Sequence, residues 1–241
     1  MSAGWPEGRT PRSSVVIRSA RPEDRAAAYH VCLKTGDAGG DGEPIYRDDP
    51  DALGRLFVGP YLALEPAFAL VLEDSGGVCG YALGALDSRT FYARYDAEWR
   101  PDLCARYPKP EGDPQHWSRV QEVYGWYHAA DYFCPEPYDL YPSHLHIDLL
   151  PRAQGQGHGR RMMETLMNRL RDAGSPGVHL GMWARNHKAH AFYTRLGFTE
   201  LTRIGSPEDG SLYMGRRLQD VDRRPASTAA SAGTQDMEPT P

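Results

Sequence analysis

Apolar positions recur along this chain in two rhythms. Alternating or β-branched runs mark strands at Ser14–Ser19 (SVVIRS), Phe68–Glu73 (FALVLE), Val78–Leu86 (VCGYALGAL) and Ser143–Leu150 (SHLHIDLL). Three more follow at Gly177–Met182, Phe198–Ile204 and Ser211–Leu218. A 3.6-residue rhythm predicts a helix over Gly157–Arg171, where Met162, Met163, Leu166, Met167 and Leu170 share one stripe. Pro22 opens a helical stretch through Lys34, since proline is tolerated where no intrahelical donor is needed. Pro50–Leu64 reads as helix broken at Gly59-Pro60, and Lys188–Leu196 as helix stopped by Gly197. Asp74-Ser75-Gly76-Gly77 is a turn that joins its flanking strands into a hairpin. The order predicts a mixed α+β (α/β) fold whose second half contains a βαβ crossover.

Between Thr90 and Tyr141 the rhythm loosens into an aromatic stretch, with helices expected near Ala97–Tyr107 and Gln115–His128. About 50 residues bury little core alone, so 88–142 reads as an insertion in a single domain spanning 14–218. Its rings would line an acceptor pocket or cover the sheet, and Asp87 and Arg89 at its entrance are candidate acceptor contacts. The segment 1–13 is expected to be flexible and 219–241, rich in Ala, Ser, Thr and Pro, to be disordered.

Charge narrows the functional classes. There are 27 basic and 32 acidic residues, a formal net of −5, which argues against a nucleic-acid partner. No apolar run approaches the ~18 residues of a membrane span. The polar start lacks a secretory core, and four scattered cysteines without a C-x-x-C read as free thiols, so a cytoplasmic protein is expected. No feature selects between monomer and homodimer.

The richest chemistry lies at Gln154-Gly155-Gln156-Gly157-His158-Gly159-Arg160, which joins a strand directly to a helix. A helix N-terminus offers unpaired N–H groups and a positive dipole end, and glycines let a phosphate approach without meeting a Cβ. The loop lacks the Lys-Ser/Thr of a P-loop, and Arg160 stands where a dinucleotide fingerprint needs its third glycine. What remains is Gln154-x-x-Gly157-x-Gly159.

One strand later comes Asn186-x-x-Ala189-x-x-Phe192-Tyr193-x-Arg195-x-Gly197-Phe198. The two motifs together resemble those of the GNAT superfamily of acetyl-CoA-dependent N-acetyltransferases. The resemblance implies a central twisted mixed sheet flanked by helices. Ala67–Asp87, Glu98–Tyr107 and the last third also resemble the C-terminal acetyltransferase-like domain of O-GlcNAcase. In its human form that domain is regarded as a pseudo-acetyltransferase without the glycine loop, whereas this chain keeps the loop. The glycosidase domain is absent from the sequence, so the resemblance does not imply glycoside hydrolysis.

The resemblance implies that Gly155, Gln156, Gly157, His158, Gly159 and Arg160, with Gln154, cradle the CoA pyrophosphate. It implies that Leu149 and Leu150 bind pantetheine and the acetyl carbonyl through backbone groups, that Asn186 helps hold the CoA arm, and that Tyr193 lies near the thioester sulfur as acid for the departing thiolate. The acceptor must be an amine on a small molecule or a peptide. An amine of pKa ~10.4 is neutral in about one molecule in 2,500 at pH 7, a cost of about 4.6 kcal/mol, so a base is needed. His144, His146 and Asp148 fall on one strand face by period two. Asp148 is the preferred base or ammonium anchor, His146 the second.

Other readings are weaker. His144-x-His146-x-Asp148 begins like a zinc motif, but its sixth position is Leu149 rather than histidine, so no metal is expected. Asp37–Asp48 imitates a calcium loop without a ligand at its third position. A non-catalytic CoA-binding or protein-interaction module is the alternative from a different class.

Overall fold

The computed structural model describes residues 15–129, 132–206 and 210–219. The expected flexible head, and the expected disordered tail beyond Gln219, lie outside the described residues. Strands form where the apolar runs stand: β1 (Val16–Ser19), β2 (Ala69–Asp74), β3 (Gly77–Ala85), β4 (Ser143–Leu149), β5 (Gly177–Trp183), β6 (Thr199–Ile204) and β7 (Ser211–Arg217). They make one mixed sheet in the order β1-β2-β3-β4-β5-β7-β6. Neighbours are antiparallel except β4 and β5, which lie parallel because a helix connects them. That helix is α7 (His158–Asp172), and its methionine–leucine stripe is buried.

The remaining helices are α1 (Arg25–Lys34), α2 (Ala52–Phe57), α3 (Gly59–Leu64), α4 (Ser88–Arg94), α5 (Arg100–Arg106), α6 (Arg119–Tyr127) and α8 (His187–Arg195). Strand alternation sorts the layers. Gly84 of β3 turns toward α7, where an added Cβ would sit 3.2 Å from Leu166. Its partner Leu145 shares that face, so His144, His146 and Asp148 share the other. On that face Tyr61 of α3 bonds His144.

The 88–142 segment differs in detail from its sequence reading. α4 starts at Ser88 because Asp87 accepts from the Thr90 N–H at 2.8 Å. It continues through a π-helical turn, Tyr95–Trp99, into α5. The helix expected from Gln115 starts at Arg119. Pro114 opens a separate 3₁₀ turn, and Ser118 with Gln121 forms a reciprocal capping box at the helix start. The segment is pinned over α2: the Tyr127 hydroxyl donates to Ala52 O at 2.6 Å and Trp99 Nε1 donates to Arg55 O at 3.0 Å. Its rings therefore both cover the helical layer and, as shown below, wall a cavity. All four cysteines are free thiols. Among the described residues no helix is long and apolar enough to cross a membrane.

Candidate active site

The sheet is split at its parallel centre. β4 and β5 pair only at Ser143↔Val178 and His144↔His179, then diverge. The β3–β4 register says which backbone groups face that gap. Leu150 N–H donates to Cys79 O at 2.8 Å, which makes Gly80↔Leu149 a pair without direct hydrogen bonds. By alternation, the N–H and C=O of Leu149 and Ile147 turn away from β3, toward the gap. Leu149 O there accepts from Gln154 Nε2 at 2.8 Å. Leu150 spends both backbone groups internally, its N–H on Cys79 and its C=O on Ala153 N–H. Of the two residues expected, Leu149 turns its backbone groups to the gap and Leu150 does not, while Ile147 also faces it. No sequence signal marks Ile147, because only the register aims it.

The glycine loop lies at the end of β4. Gly155 and Gly157 have φ of +75° and +80°, and an added Cβ would find no atom within 4 Å at either. Glycine is required there by backbone angle, and the space beside it is open. Gly159 differs: a Cβ would lie 3.3 Å from the Phe192 ring, so it permits α7 to approach α8. Gln154 bridges the loop, donating to Leu149 O and accepting from Lys188 Nζ at 3.1 Å. Gln156 Nε2 donates to Arg152 O at 2.9 Å. His158 is buried in the first turn of α7, and among the described residues its Nδ1 has no hydrogen-bond partner. Arg160 is exposed on that turn, 3.5 Å from Glu164. Asn186 caps α8 through Ala189 N–H and donates from Nδ2 to Ala38 O at 3.2 Å, tying the 36–42 loop to the site. The calcium-like residue Asp41 is engaged by Lys34 at 2.5 Å.

Asp148 sits on β4 opposite Tyr81 of β3. The Tyr81 hydroxyl donates to its Oδ2 at 2.5 Å. Burial pushes the Asp148 carboxyl up to about 6, opposed by the hydrogen bond it accepts from Tyr81. Tyr193, on α8, is buried, and desolvation, reinforced by the negative charge of Asp148, holds its phenol protonated well above its ordinary pKa of 10.0. The charge of Asp148 thus acts on Tyr193 although the two are 45 positions apart in sequence.

The histidines divide. Ser88 Oγ gives its proton to Pro142 O at 2.7 Å, so its contact with His144 Nδ1 requires that nitrogen to donate. His144 Nε2 then accepts from Tyr61 O–H at 2.8 Å. His144 is neutral and fully engaged. His146 packs between Tyr61 and Phe57, and burial lowers its pKa to about 4. Asp87 and Arg89 do not join the site: Asp87 caps α4 and accepts from the Tyr138 hydroxyl, and Arg89 stacks 3.8 Å from the Tyr138 ring centre.

A mixed sheet split between parallel strands, with a glycine loop and helix N-terminus at the mouth of the split, defines an acetyltransferase architecture. Residues 121–200 match the acetyltransferase (GNAT) domain model. The crystal structure of SsHAT is 40% identical, covers 86% of this chain and 100% of its own, and superposes with a TM-score of 0.76. The chain belongs to the GNAT family of acetyltransferases. It is also 32% identical over 216 residues to protein O-GlcNAcase of Rattus norvegicus and of Mus musculus. That match covers 88% of this chain but 23% of theirs, so the chain spans about a quarter of the length of these curated relatives. The yncA protein of Salmonella typhimurium, solved with its cofactor acetyl-CoA, shares the fold at 18% identity, covering 90% of this chain and 99% of its own, with a TM-score of 0.51.

Proposed function

We propose that this chain transfers the acetyl group of acetyl-CoA to an amine by direct attack in a ternary complex. Acetyl-CoA supplies an activated acyl group on a thiolate leaving group. Two features of the chain fit it: amides at the start of α7 beside open space at Gly155 and Gly157, and backbone groups of Ile147 and Leu149 turned into the β4–β5 gap. The α7 amides with Gln154, Gln156, His158 and Arg160 would hold the pyrophosphate, and the Ile147 and Leu149 backbone groups the pantetheine arm and acetyl carbonyl. Asn186 shapes the rim through Ala38.

Asp148 takes the proton of the amine, directly or through one water, as nitrogen bonds to the acyl carbon. Its pKa of about 6 leaves it ionised at pH 7.5 yet more basic than an ordinary carboxylate. As the carbon–sulfur bond breaks, Tyr193 gives its phenolic proton to the sulfur. His146, held neutral two residues from Asp148 on the same face, is the secondary acceptor for the amine proton. The observation that carries the reading is the glycine loop at the start of α7, open at Gly155 and Gly157, beside the β4–β5 gap into which Ile147 and Leu149 turn their backbone groups.

Calorimetric titration of the full chain with acetyl-CoA tests it. Saturable binding in the micromolar range is expected, with thiol release on adding an amine, and Asp148→Asn should bind but not release thiol. Absence of binding at high micromolar acetyl-CoA would overturn the reading. Binding without thiol release toward any amine would favour the non-catalytic module.

A further inference from the structure

A cavity opens toward the end of β4 away from the glycine loop, lined by His144 and His146 from the strand face that also carries Asp148. This cavity measures about 350 Å³. Its floor is His144–His146 of β4 and His179–Gly181 of β5, where those strands part. Its walls are mostly rings from the helical layer and the 88–142 segment, among them Phe57, Tyr92, Tyr95, Trp126 and Tyr132. Tyr92 lies parallel to Tyr132 at 4.2 Å and to His144 at 5.1 Å, so one wall is a flat stack.

Two properties select an occupant. First, no Asp, Glu, Lys or Arg occurs among the described residues that line the cavity. Its histidines are neutral: both nitrogens of His144 are engaged with Ser88 and Tyr61, and His179 donates from Nδ1 to Tyr141 O. Among the described residues the lining offers no carboxylate to the several ammonium groups of a polyamine or aminoglycoside. Second, the parallel rings of Tyr92, Tyr132 and His144 present flat faces on which a planar group can lie, whereas a flexible polar chain would gain little from them.

We propose that the acceptor is a primary arylalkylamine. The ring lies against the flat stack, and the amine is directed along β4 past His146 toward Asp148. The distance suits a short linker: residues two apart on a strand are about 7 Å apart. The inference rests on the proposed acetyl transfer and names its acceptor class.

The test uses the full chain and four probes: phenethylamine, spermidine, kanamycin and a lysine-containing peptide. Binding is read by calorimetry without acetyl-CoA, transfer by thiol release with it. Phenethylamine should exceed each of the other three at least tenfold in kcat/KM. Equal rates for the four, or preference for spermidine, kanamycin or the peptide, would overturn the proposal. Acetyl-CoA binding without phenethylamine binding sinks the acceptor class alone, whereas phenethylamine binding without acetyl-CoA binding upholds the cavity reading and sinks the transfer.

Discussion

Tyr81 and Asp148 face one another across adjacent antiparallel strands, and the phenol donates to the carboxylate at 2.5 Å. The bond holds a carboxyl whose pKa burial has raised, and it partly offsets that rise. The carboxylate is thus both oriented and tuned by its strand partner.

The acid limb of acetyl transfer should report this pair. With Asp148 as base, kcat/KM should fall below an apparent pKa near 6. Tyr81→Phe removes a bond that favours the ionised form, so the limb should move up by about 0.5–1 unit. A pH–rate profile of both proteins checks this. An unmoved limb would separate Asp148 from the base role.

Charge on Asp148 should cost stability. Its pKa is higher folded than unfolded, so stability is fully present below about pH 4 and lost as pH rises through 6. Asp148→Asn keeps an acceptor for Tyr81 and removes the charge. Allowing for the partial solvent access of Asp148, it should be about 2 kcal/mol more stable than wild type at pH 8 and nearly equal at pH 4. Urea unfolding at the two pH values measures this, and the same variant should lose transfer activity.

Acidification should act on the histidines in the opposite sense. His144 and His146 have folded pKa values below 6.5, so their neutral forms support the fold above pH 6.5 and that support is lost as pH falls. In wild type the gain at Asp148 between pH 6 and 4 offsets part of this loss. Asp148→Asn lacks the offset, so its stability should decline more steeply from pH 6.5 to 4. Equal slopes for the two proteins would contradict this coupling.

Tyr193→Phe should fold normally, because the ring packs against Phe192 and Phe198 and is buried. With Tyr193 as the acid, kcat should fall about 10²-fold while affinity for acetyl-CoA changes little. An unchanged kcat would leave the ring with a packing duty only.

The loop glycines should separate by experiment. Gly157→Ala places a Cβ at φ +80°, straining the backbone by about 1–2 kcal/mol, and intrudes on the open space, so acetyl-CoA affinity should drop at least tenfold. Gly159→Ala meets Phe192 at 3.3 Å, so its main effect should be a lower thermal midpoint with affinity less affected. Paired calorimetry and thermal melts compare them. Reversed rankings would reassign the two positions.

Much of this molecule is written in short-range signals. The apolar stripe of α7, the cap at Asn186 and the stop at Gly197 are local preferences of backbone and side chain, so these elements stand within a residue or two of expectation. The shared face of His144, His146 and Asp148 follows from strand alternation alone. Legibility fails where the partner is distant. Asp87 and Arg89 read in sequence as candidate acceptor contacts, yet Tyr138, about 50 residues on, engages both. The helix from Ser88 was obscured because one cap decides its start.

By itself, then, the sequence determined the mixed fold, the glycine loop at a helix N-terminus and the face carrying His146 and Asp148, because each depends on neighbours within a few residues. Only the tertiary structure decided that Ile147 rather than Leu150 turns its backbone to the gap, that Tyr81 orients Asp148, and that the rings of 88–142 enclose a space around Tyr95. Strand register and packing set those facts, and both depend on contacts between residues dozens of positions apart.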